Sequence, residues 1–350
     1  MTFSKLLLLP FSALYGFIVG LRNLFFDIGL LKAKSFKVPI ICVGNITVGG
    51  TGKTPHTELL ISELKKKFRV ACLSRGYKRK SSGFILADPT STAEQIGDEP
   101  FQIHSKFPDI LVACDSNRVR GIEKLLAQEQ PPEVIVLDDA FQHRYVQADK
   151  NIVLVDYNRP VFRDHLLPTG RLREPVNSLK RADYIIVTKC PQSLQPIERR
   201  VLFNQLELKP YQNLYFTQLG YGQIYNLSDT KTNLTFDADS AILCVTGIAQ
   251  PQPYVTHLQT LTPHITSLHY PDHHFFTKKD IQHITKTFQE INHEKKYIFT
   301  TEKDAARLKT CELPPEISEH IFYIPVVPVF LRDGELFLTD ISEYVRKNQN

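Results

Sequence analysis

The stretch that most constrains the fold lies near the N-terminus, at residues 38–54, and its sequence is VPIICVGNITVGGTGKT. A short apolar, β-rich run is followed by a glycine-rich loop that ends in Gly-Lys-Thr, and residues 56–64 then have a helical sequence. A strand, a glycine loop, Gly-Lys-Thr and a helix, in that order, form the context of a phosphate-binding loop. Backbone N–H groups of such a loop turn inward toward an anion, and the helix N-terminus adds its positive dipole end. The stretch therefore predicts a nucleotide site.

The predicted nucleotide site includes a charged and a hydroxyl side chain. Lys53 can reach the β- and γ-phosphates, and the Thr54 hydroxyl can take a Mg²⁺ ion. One position departs from the usual spacing, because Thr47 stands where a glycine is expected, but the other glycines still let the loop bend. A glycine-rich stretch alone is often only a turn, whereas the full context favours phosphate binding. The residues expected to bind the nucleotide are Gly49, Gly50, Thr51, Gly52, Lys53 and Thr54.

Length and composition describe a folded globular protein. The 350 residues allow one large or two ordinary domains, and 42% hydrophobic with 23% charged residues excludes a disordered chain. The net charge of +5 comes without a basic stripe interleaved with aromatics, so we expect no nucleic-acid partner. It suits an anionic substrate or an anionic membrane surface. The six cysteines show neither CxxC nor metal-ligand spacing. Four of them lie in or beside apolar strand-like runs, which indicates buried thiols in a reducing compartment: Cys42, Cys72, Cys114 and Cys244.

An apolar segment occupies residues 5–31, upstream of the phosphate loop. Residues 6–21 carry no charge, but they include Pro10 and Gly20 and fall short of the roughly 20 residues that a spanning helix needs. No clear signal-peptide cleavage site follows. We expect an uncleaved helix lying in the membrane interface, with nearby cations for anionic lipid. A helix packed on the protein itself is the alternative.

A second apolar run ends in two acids, Asp138 and Asp139, within EVIVLDDAFQHR. An apolar run that ends in Asp downstream of a phosphate loop is the pattern that holds Mg²⁺ across from the loop threonine. Two adjacent acids at a buried strand end are costly unless a cation neutralises them. A metal site is therefore favoured over a capped strand end.

Two further candidates lie beside predicted elements of the first half. Tyr77 is in SRGYKR, directly after the predicted strand 68–73, where side chains of a parallel sheet face the ligand crevice. A solvated basic loop is the alternative there. Arg118 begins a predicted helix, a position that the helix dipole opposes for a cation. This placement slightly favours a substrate-facing role for Arg118.

Two other motifs carry acid–base chemistry. Asp98 begins a predicted helix within IGDEP, where a carboxylate can favour the helix dipole, act as a general base or hold a metal. His273 lies in YPDHHF after a predicted strand, and the Asp before it can orient the imidazole or raise its basicity. A loop or core histidine is the more common case, so this motif alone leaves both interpretations open.

Strands alternate with helices through the first half, which predicts an α/β fold with a P-loop NTPase-like, mainly parallel sheet sandwiched by helices. A smaller α/β domain is predicted after it, because strands and helices resume beyond residue 240. An Arg-Asp-Gly turn signal there predicts a β-hairpin near 322–339. The predicted boundaries are 1–36 for the membrane-interface segment, 37–210 for the P-loop domain, 211–239 for an extended connector and 240–350 for the second domain.

Seven motifs occur in one order along the chain: GNITVGGTGKTP, SRGY, GDEP, DDAFQHR, LLPTGRLREP, PDHH and TEKDAAR. Together they resemble the tetraacyldisaccharide 4'-kinases, the lipid A 4'-kinases of Gram-negative bacteria, over nearly the whole chain. Ala140 stands where Gly is usual in DDGFQH, and Arg171 lies in a loop often written GPLREP. Neither departure removes a functional group, and Thr47 is a feature of the family itself.

The resemblance implies a kinase reaction. The γ-phosphate of Mg·ATP would pass to the 4'-hydroxyl of an acylated glucosamine disaccharide 1-phosphate, a lipid A precursor, to give lipid IVA for lipopolysaccharide biosynthesis. ATP and Mg²⁺ are the implied cofactors. We expect a peripheral or monotopic monomer at the cytoplasmic face of the bacterial inner membrane, since an acylated substrate stays in the bilayer.

The resemblance also implies roles for individual residues. Asp98 would be the base for the sugar hydroxyl, assisted by His273 from the second domain, so that chemistry is coupled to domain closure. Lys53 would bind the phosphates. The implied metal residues are Thr54, Asp138 and Asp139. The residues implied to shape the substrate or nucleotide region are Tyr77, Arg118, Arg173 and Glu174.

Two other functions share part of this pattern. A membrane-associated P-loop regulatory ATPase or GTPase would use the same lysine, threonine and paired acids, but it gives no reason for an acceptor-directed Asp98. A non-catalytic membrane adaptor with a vestigial nucleotide site would tolerate loss of Lys53. Phosphate transfer to a lipid disaccharide separates the kinase from both.

Overall fold

The computed structural model describes residues 3–228, 236–272 and 274–349, with side chains from residue 6 onward. The chain forms two compact units. Unit 1 comprises Met1–Thr90, Phe107–Gly220 and Val327–Asn350, and unit 2 comprises Ser91–Lys106 and Tyr221–Val326. The boundaries predicted from the sequence differ from this division, because each unit takes a segment from the sequence range that was assigned to the other.

The elements within the described residues are numbered in chain order. The strands are β1 (Ile40–Asn45), β2 (Val70–Ser74), β3 (Ile85–Leu86), β4 (Leu111–Cys114), β5 (Val134–Asp138), β6 (Lys150–Asp156), β7 (Tyr184–Thr188), β8 (Asn213–Tyr221), β9 (Tyr225–Asn226), β10 (Ala241–Thr246), β11 (Ile265–His269), β12 (Lys296–Thr301), β13 (Ile321–Ile324) and β14 (Val326–Phe330). The α-helices are α1 (Phe3–Asp27), α2 (Lys53–Leu64), α3 (Ala93–Ile96), α4 (Asp98–Lys106), α5 (Arg118–Leu126), α6 (Pro196–Gln205), α7 (Gln252–Gln259), α8 (Lys278–Glu290), α9 (Glu302–Leu308), α10 (Pro315–Ser318) and α11 (Gly334–Lys347).

The sheet of unit 1 has the strand order β14-β8-β7-β6-β1-β5-β2-β4-β3. The strands from β8 across to β4 run parallel, and β3 is antiparallel to β4 at the edge. Every residue of β1, β2, β5 and β7 is buried, as expected for parallel strands covered on both faces. The predicted mainly parallel sheet is therefore confirmed. Because β1 lies between β5 and β6, the carboxyl ends of β1, β5 and β2 meet at one edge, where ligands of such sheets bind.

The segment after β14 differs from its prediction. The hairpin predicted near 322–339 is wrong, because β14 ends at Phe330 and the helix α11 begins at Gly334. The buried apolar side chains of α11 recur at the helical period: Phe337, Ile341 and Val345. The ring of Phe337 meets that of Tyr184 edge to face at a centroid distance of 5.3 Å. Helical periodicity and this aromatic contact with β7 outweigh the local turn signal.

The predicted connector 211–239 also contains regular structure. Residues 213–221 form β8, which pairs in parallel with β7, with Asn213 opposite Tyr184. Tyr215 and Thr217 point into the buried side of the strand, so the aromatic–polar alternation of this segment belongs to a strand of the sheet. Residues 229–235 of the same predicted connector lie outside the described residues.

Unit 2 has its own sheet in the order β11-β10-β12-β13-β9. The first four strands are parallel, and β9 is antiparallel to β13. Helix α4 packs against α9, where Gln102 donates to Glu302 at 3.1 Å and Lys106 forms an ion pair with the same carboxylate at 2.8 Å. These contacts explain why residues 91–106 belong to unit 2. The N-terminus of α9 is capped by Thr301, since the Asp304 N–H donates to Thr301 Oγ1 at 3.2 Å.

Candidate active site

The glycine loop joins β1 to α2. Gly49 has φ 101° and Gly52 has φ 87°, a left-handed backbone that favours glycine, and Gly52 is the N-cap of α2. The side-chain amide of Asn45 donates to Thr51 Oγ1 at 2.8 Å across the loop. Lys53 is the first residue of α2. The loop and the unsatisfied N–H groups of the first helical turn therefore form an anion site.

The loop's departure from the usual spacing has a structural explanation. Within the loop, Gly49 and Gly52 have a positive φ, whereas Thr47 does not. The carbonyl of Thr47 accepts a hydrogen bond from Arg173 Nε at 3.0 Å, and the N–H of Val48 donates to the Arg171 carbonyl at 2.8 Å. The first half of the loop is thus held against the segment that carries Arg171 and Arg173. Its backbone at position 47 is one that residues other than glycine also adopt.

Lys53 and Arg173 converge on one carboxylate. Lys53 Nζ lies 3.7 Å from Asp139 Oδ1, and the two terminal nitrogens of Arg173 donate to Asp139 Oδ1 at 3.1 Å and Oδ2 at 3.3 Å. Arg173 also donates to Asn45 Oδ1 at 2.6 Å. Burial opposes ionisation of Asp139, but Lys53 and Arg173 outweigh it and lower the pKa of the carboxyl. The arrangement holds two cations at the mouth of the anion site, where a phosphate can bind them.

Asp138 ends β5 beside the loop strand, with its backbone paired to Val43. Its side chain is 1% exposed, and Thr57 Oγ1 donates to its Oδ1 at 3.1 Å. A buried carboxylate next to a second acid is stabilised by a cation. Hydroxyl and carboxylate oxygens are the ligands that Mg²⁺ prefers. Thr54, Asp138 and Asp139 carry oxygens of this kind and could hold Mg²⁺, an assignment that stays a prediction.

Arg118 lies behind the two acids. The side chain is 2% exposed, and its guanidinium donates to the Asp115 carbonyl at 2.8 Å and approaches the Asp138 carbonyl at 3.5 Å. Burial lowers the pKa of Arg118, and Asp138 and Asp139 oppose that change. A buried cation here supports the acidic strand end electrostatically. Its contribution to substrate binding stays a prediction.

Tyr77 lies in a basic segment that follows β2. The ring is 64% exposed and lines a surface cavity of about 370 Å³. The polar side chains of this cavity include Arg75, Lys78, Arg79, Ser81, Ser82 and Ser116. Arg79 is fixed in place, because it donates to the Gly83 carbonyl at 2.6 Å and to the Cys114 carbonyl at 3.3 Å. The cavity suits an anionic group, and the predicted substrate role of Tyr77 stays a prediction.

Glu174 is 1% exposed and forms an ion pair with Arg181. It also accepts from the side-chain amide of Asn23 on α1 at 3.2 Å. On the preceding residue, the Arg173 carbonyl accepts from the Tyr15 hydroxyl at 2.9 Å. These contacts tie α1 to the segment that holds Arg173. The predicted role of Glu174 in the substrate or nucleotide region is not tested by them and stays a prediction.

Helix α1 has one packed and one exposed face. On the packed face, Ser12 Oγ donates to the Leu166 carbonyl at 3.0 Å, and Arg22 donates to the Gln142 carbonyl at 3.0 Å. Large exposed apolar side chains share the opposite face: Phe11, Leu14, Phe17, Ile18, Leu21 and Leu24. By length and composition α1 could cross a membrane, a test that signal sequences near an N-terminus also pass. The packed face shows that the helix belongs to the surface of unit 1.

Asp98 opens helix α4 in unit 2, where it is bound by an arginine. Arg307 Nη2 donates to Asp98 Oδ2 at 2.6 Å, and Nη1 donates to Asp304 Oδ1 at 2.9 Å. Asp304 in turn accepts from the Gly247 N–H at 2.9 Å, directly after β10. The Asp98 carboxylate is thereby connected to the carboxyl edge of the unit 2 sheet.

His273 lies outside the described residues, so its catalytic role stays a prediction. Its neighbour His274 is described, and the Nε2 of that ring lies 2.9 Å from Asp280 Oδ2. A Cβ built on Gly247 would lie 3.5 Å from the Pro271 carbonyl, so this loop reaches the edge to which Asp98 is connected. Asp98 and the segments on either side of position 273 belong to unit 2. The expectation that they lie on different domains is therefore wrong.

With this geometry established, we compared the chain with known proteins. Residues 4–345 match the family model for tetraacyldisaccharide-1-P 4'-kinase. The chain belongs to this kinase family. Among relatives, the tetraacyldisaccharide 4'-kinase of Phocaeicola vulgatus is 51% identical over 97% of this chain and 95% of its own. That of Parabacteroides distasonis is 50% identical over 95% and 92%. The crystal structure of LpxK from Aquifex aeolicus in complex with ATP covers 99% of both chains, with 28% identity and a TM-score of 0.77.

Family membership confirms the resemblance drawn from the seven motifs, but some partners within those motifs escaped the sequence analysis. TEKDAAR was used only as one of the seven motifs of the resemblance, although its Arg307 binds Asp98. Asn45 was treated only as part of the glycine-rich loop, although its side chain contacts both Thr51 and Arg173. Arg307 and Asn45 lie inside motifs of the kinase family, and that position indicated that they could be functional. Their partners could not be identified from the sequence, because Asp98 and Arg173 are far from them in the chain.

Proposed function

We propose that this chain transfers the γ-phosphate of Mg·ATP to the 4'-hydroxyl of a tetraacyldisaccharide 1-phosphate, which gives lipid IVA for lipopolysaccharide biosynthesis. The observation that supports the proposal most directly is the convergence of Lys53 and Arg173 on Asp139. It lies at the glycine loop that leads into the N-terminus of α2. The relatives that match almost the whole chain are named for this activity. The fold is similar to that of a family member solved with ATP.

Charge neutralisation is the main requirement of phosphoryl transfer. Lys53 and Arg173 would move from Asp139 onto the phosphates as the nucleotide enters, while the N–H groups of the loop orient its oxygens. Thr54 and Asp138 would hold Mg²⁺, with Asp139 beside them. When bound, Mg²⁺ neutralises negative charge on the transferring phosphoryl group.

Asp98 would accept the proton of the sugar hydroxyl, and His273 would assist it. The buried guanidinium of Arg307 supports this role, because its bond to Asp304 holds it in place while its other terminal nitrogen donates to Asp98 and orients that carboxylate. A positioned general base contributes roughly 10²–10⁴-fold to a rate. Tyr77 and the basic cavity beside it would bind an anionic group of the acceptor, which carries a 1-phosphate.

The exposed face of α1 would lie in the membrane interface at the cytoplasmic side of the bacterial inner membrane, with the protein attached as a monomer. Its large apolar side chains would otherwise remain in water, an arrangement that marks interaction surfaces. The acceptor's acyl chains keep it in the bilayer, at about 0.8 kcal/mol per buried CH₂. The helix would therefore bring the catalytic residues to a substrate that does not leave the membrane.

The proposal is tested by following the label of γ-³²P-ATP into a tetraacyldisaccharide 1-phosphate in detergent micelles. We expect transfer by the wild type and its loss in Lys53→Ala. A regulatory ATPase or GTPase would instead release labelled phosphate at a rate that the lipid does not change, and that result would refute the kinase function. A non-catalytic adaptor would show neither reaction, and Lys53→Ala would preserve its role in cells.

A further inference from the structure

Three potential metal ligands meet at the amino edge of the unit 2 sheet. Asp239 lies just before β10, His264 just before β11 and His293 just before β12. Because β11, β10 and β12 are neighbouring parallel strands, their amino ends lie side by side. Asp98 is linked through Arg307 and Asp304 to the opposite, carboxyl edge of this sheet, directly after β10. The cluster is therefore separate from the site described above.

The geometry of the cluster is close to that of a metal site. One ligand atom from each of the three residues lies within 4.8 Å of the other two. Around a tetrahedral zinc ion with bonds of about 2.0–2.1 Å, neighbouring ligand atoms are about 3.3 Å apart. The Asp239 and His264 side chains are exposed and His293 is half-buried. Rotation of these surface side chains can close the remaining distance without moving the strands.

The hydrogen bond of His293 points independently to a ligand role. Its Nδ1 lies 3.1 Å from the Lys295 carbonyl, and a carbonyl oxygen can only accept. The ring proton is therefore on Nδ1, and Nε2 carries the lone pair. Histidines that bind metals almost always donate their other ring N–H to a carbonyl, carboxylate or water in this way. The imidazole is thus already in the tautomer that an Nε2 ligand requires.

The charges around the cluster also favour a cation. Lys295, the nearest cation in the sequence, forms an ion pair with Asp237 at 2.8 Å. The Asp239 N–H donates to the same Asp237 side chain at 3.1 Å, which orders the turn that carries Asp239. Among the described residues the Asp239 carboxylate has no ion-pair partner, so it can supply negative charge beside the two imidazoles.

We propose that Asp239, His264 and His293 bind a Zn²⁺ ion, with water completing a four-coordinate site. Two imidazoles and a carboxylate suit Zn²⁺, whereas Mg²⁺ prefers oxygen ligands and binds imidazole poorly. The ion links the segments that enter β10, β11 and β12, so its role is to stabilise unit 2. This function is additional to phosphoryl transfer and does not depend on it.

Isothermal titration calorimetry of the full chain with ZnCl₂, in excess MgCl₂ to fill oxygen-ligand sites, measures the affinity. We expect wild type to bind Zn²⁺, and His264→Ala and His293→Ala each to weaken that binding at least tenfold. His283→Ala is the matched control, because His283 is an exposed histidine on α8 of the same unit and lies outside the cluster. Equal affinity in wild type and the His264→Ala/His293→Ala double variant would overturn the proposal.

X-ray absorption on the zinc-loaded wild type tests the ligands without any substitution, which covers variants that fail to fold. The expected inner shell contains two imidazole nitrogens together with oxygen. A shell of oxygens alone, or one that contains sulfur, would place the ion elsewhere and refute the assignment. Co²⁺ provides a second probe, since its visible absorption should change on binding to wild type and His283→Ala but not to His264→Ala.

Discussion

Arg307 donates a hydrogen bond from one terminal nitrogen to Asp98 at 2.6 Å and from the other to Asp304 at 2.9 Å. The arginine is 3% exposed, so its guanidinium is shielded from water. Through Asp304, the pair is joined to Gly247 and Thr301 at the ends of β10 and β12. The first turn of α4 is therefore fixed to the carboxyl edge of the unit 2 sheet by a single planar group.

Replacing Arg307 with lysine tests whether this fork positions Asp98. Lysine keeps the charge but loses the two-pronged geometry, so we expect kcat to fall at least tenfold. The KM for ATP should change little, because the glycine loop belongs to unit 1. Steady-state kinetics with varied ATP separates the two parameters. The control is Lys303→Ala, which removes a longer, half-exposed ion pair with Glu99 between the same two helices. Equal effects of both substitutions would indicate a merely structural role.

Replacing Asp98 with asparagine should lower turnover by roughly 10²-fold or more, because a general base typically contributes 10²–10⁴-fold. Asparagine retains the shape of the side chain, and nucleotide binding should be unchanged. The rate is measured by phosphate transfer to the lipid acceptor, and ATP affinity by calorimetry. His273→Ala should also slow transfer. Near-normal turnover in Asp98→Asn would contradict its assignment as the base.

Replacing Arg173 with lysine tests the second cation at the glycine loop. Lysine cannot reproduce the paired bonds to Asp139 or the simultaneous contacts to Asn45 and the Thr47 carbonyl. We expect kcat/KM for ATP to fall about tenfold or more. Arg163→Lys is the matched control, since Arg163 is an exposed arginine in the same part of the chain. A loss shared by both variants would argue against a specific role for Arg173.

The phosphate loop was predictable because its determinants are local. The glycines, the lysine and the helix lie in consecutive residues, so the pattern contains the loop itself, although the second cation, Arg173, comes from a distant segment. The position of Asp138 at the end of the buried strand β5 was predictable for a similar reason, since the apolar run and the acid are adjacent in the sequence, while the metal role of the two acids stays a prediction. Asp98 is different, because its partner Arg307 is 209 residues away in the sequence. The GDEP motif does not indicate Arg307, and the TEKDAAR motif does not indicate Asp98. Their contact arises only when α4 packs on α9.

The hairpin prediction failed where two local signals compete. Arg332-Asp333-Gly334 is a turn sequence, and Asp333 does adopt a left-handed backbone, with φ 57°. The residues after it, however, place Phe337 and Ile341 four apart, which buries both on one helical face. The turn is therefore the start of a helix that packs on β7 and α2. Burial of a whole apolar face outweighs the strand propensity of a few residues.

His56 predicts how the stability of unit 1 depends on pH. Its Nδ1 donates to the Gly52 carbonyl at 2.8 Å, and Nε2 accepts from the Thr217 hydroxyl at 3.0 Å. Burial lowers the pKa of His56 from 6.5 to about 4, despite the opposing bond to Gly52. The unfolded chain therefore binds a proton that the folded chain does not between pH 6.5 and 4. The stability from the neutral imidazole is complete above pH 6.5, and about 3 kcal/mol is lost as the pH falls to 4.

Denaturant unfolding of wild type and His56→Gln between pH 7 and pH 4 measures this loss. We expect the stability advantage of wild type to shrink as the pH falls, because only wild type carries the buried imidazole. His143, whose pKa burial also lowers to about 4, titrates in both proteins and cancels in the difference. A difference that stays constant with pH would mean that His56 accepts its proton without disturbing the fold.

The exposed face of α1 predicts a specific loss of membrane binding. In Leu14→Glu/Phe17→Glu, two apolar side chains that are more than half exposed become charged, while the packed face is left intact. Burial of one such side chain is worth about 1.5–3 kcal/mol, and 1.4 kcal/mol is tenfold in affinity, so binding should weaken at least tenfold. The matched control is Ile197→Glu/Val201→Glu, which places charge on the exposed apolar face of α6. Sedimentation with vesicles of zwitterionic and anionic phospholipid measures the bound fraction. Weakened binding of the α1 variant alone would identify α1 as the membrane anchor, whereas equal binding of both variants would show that the anchor lies elsewhere.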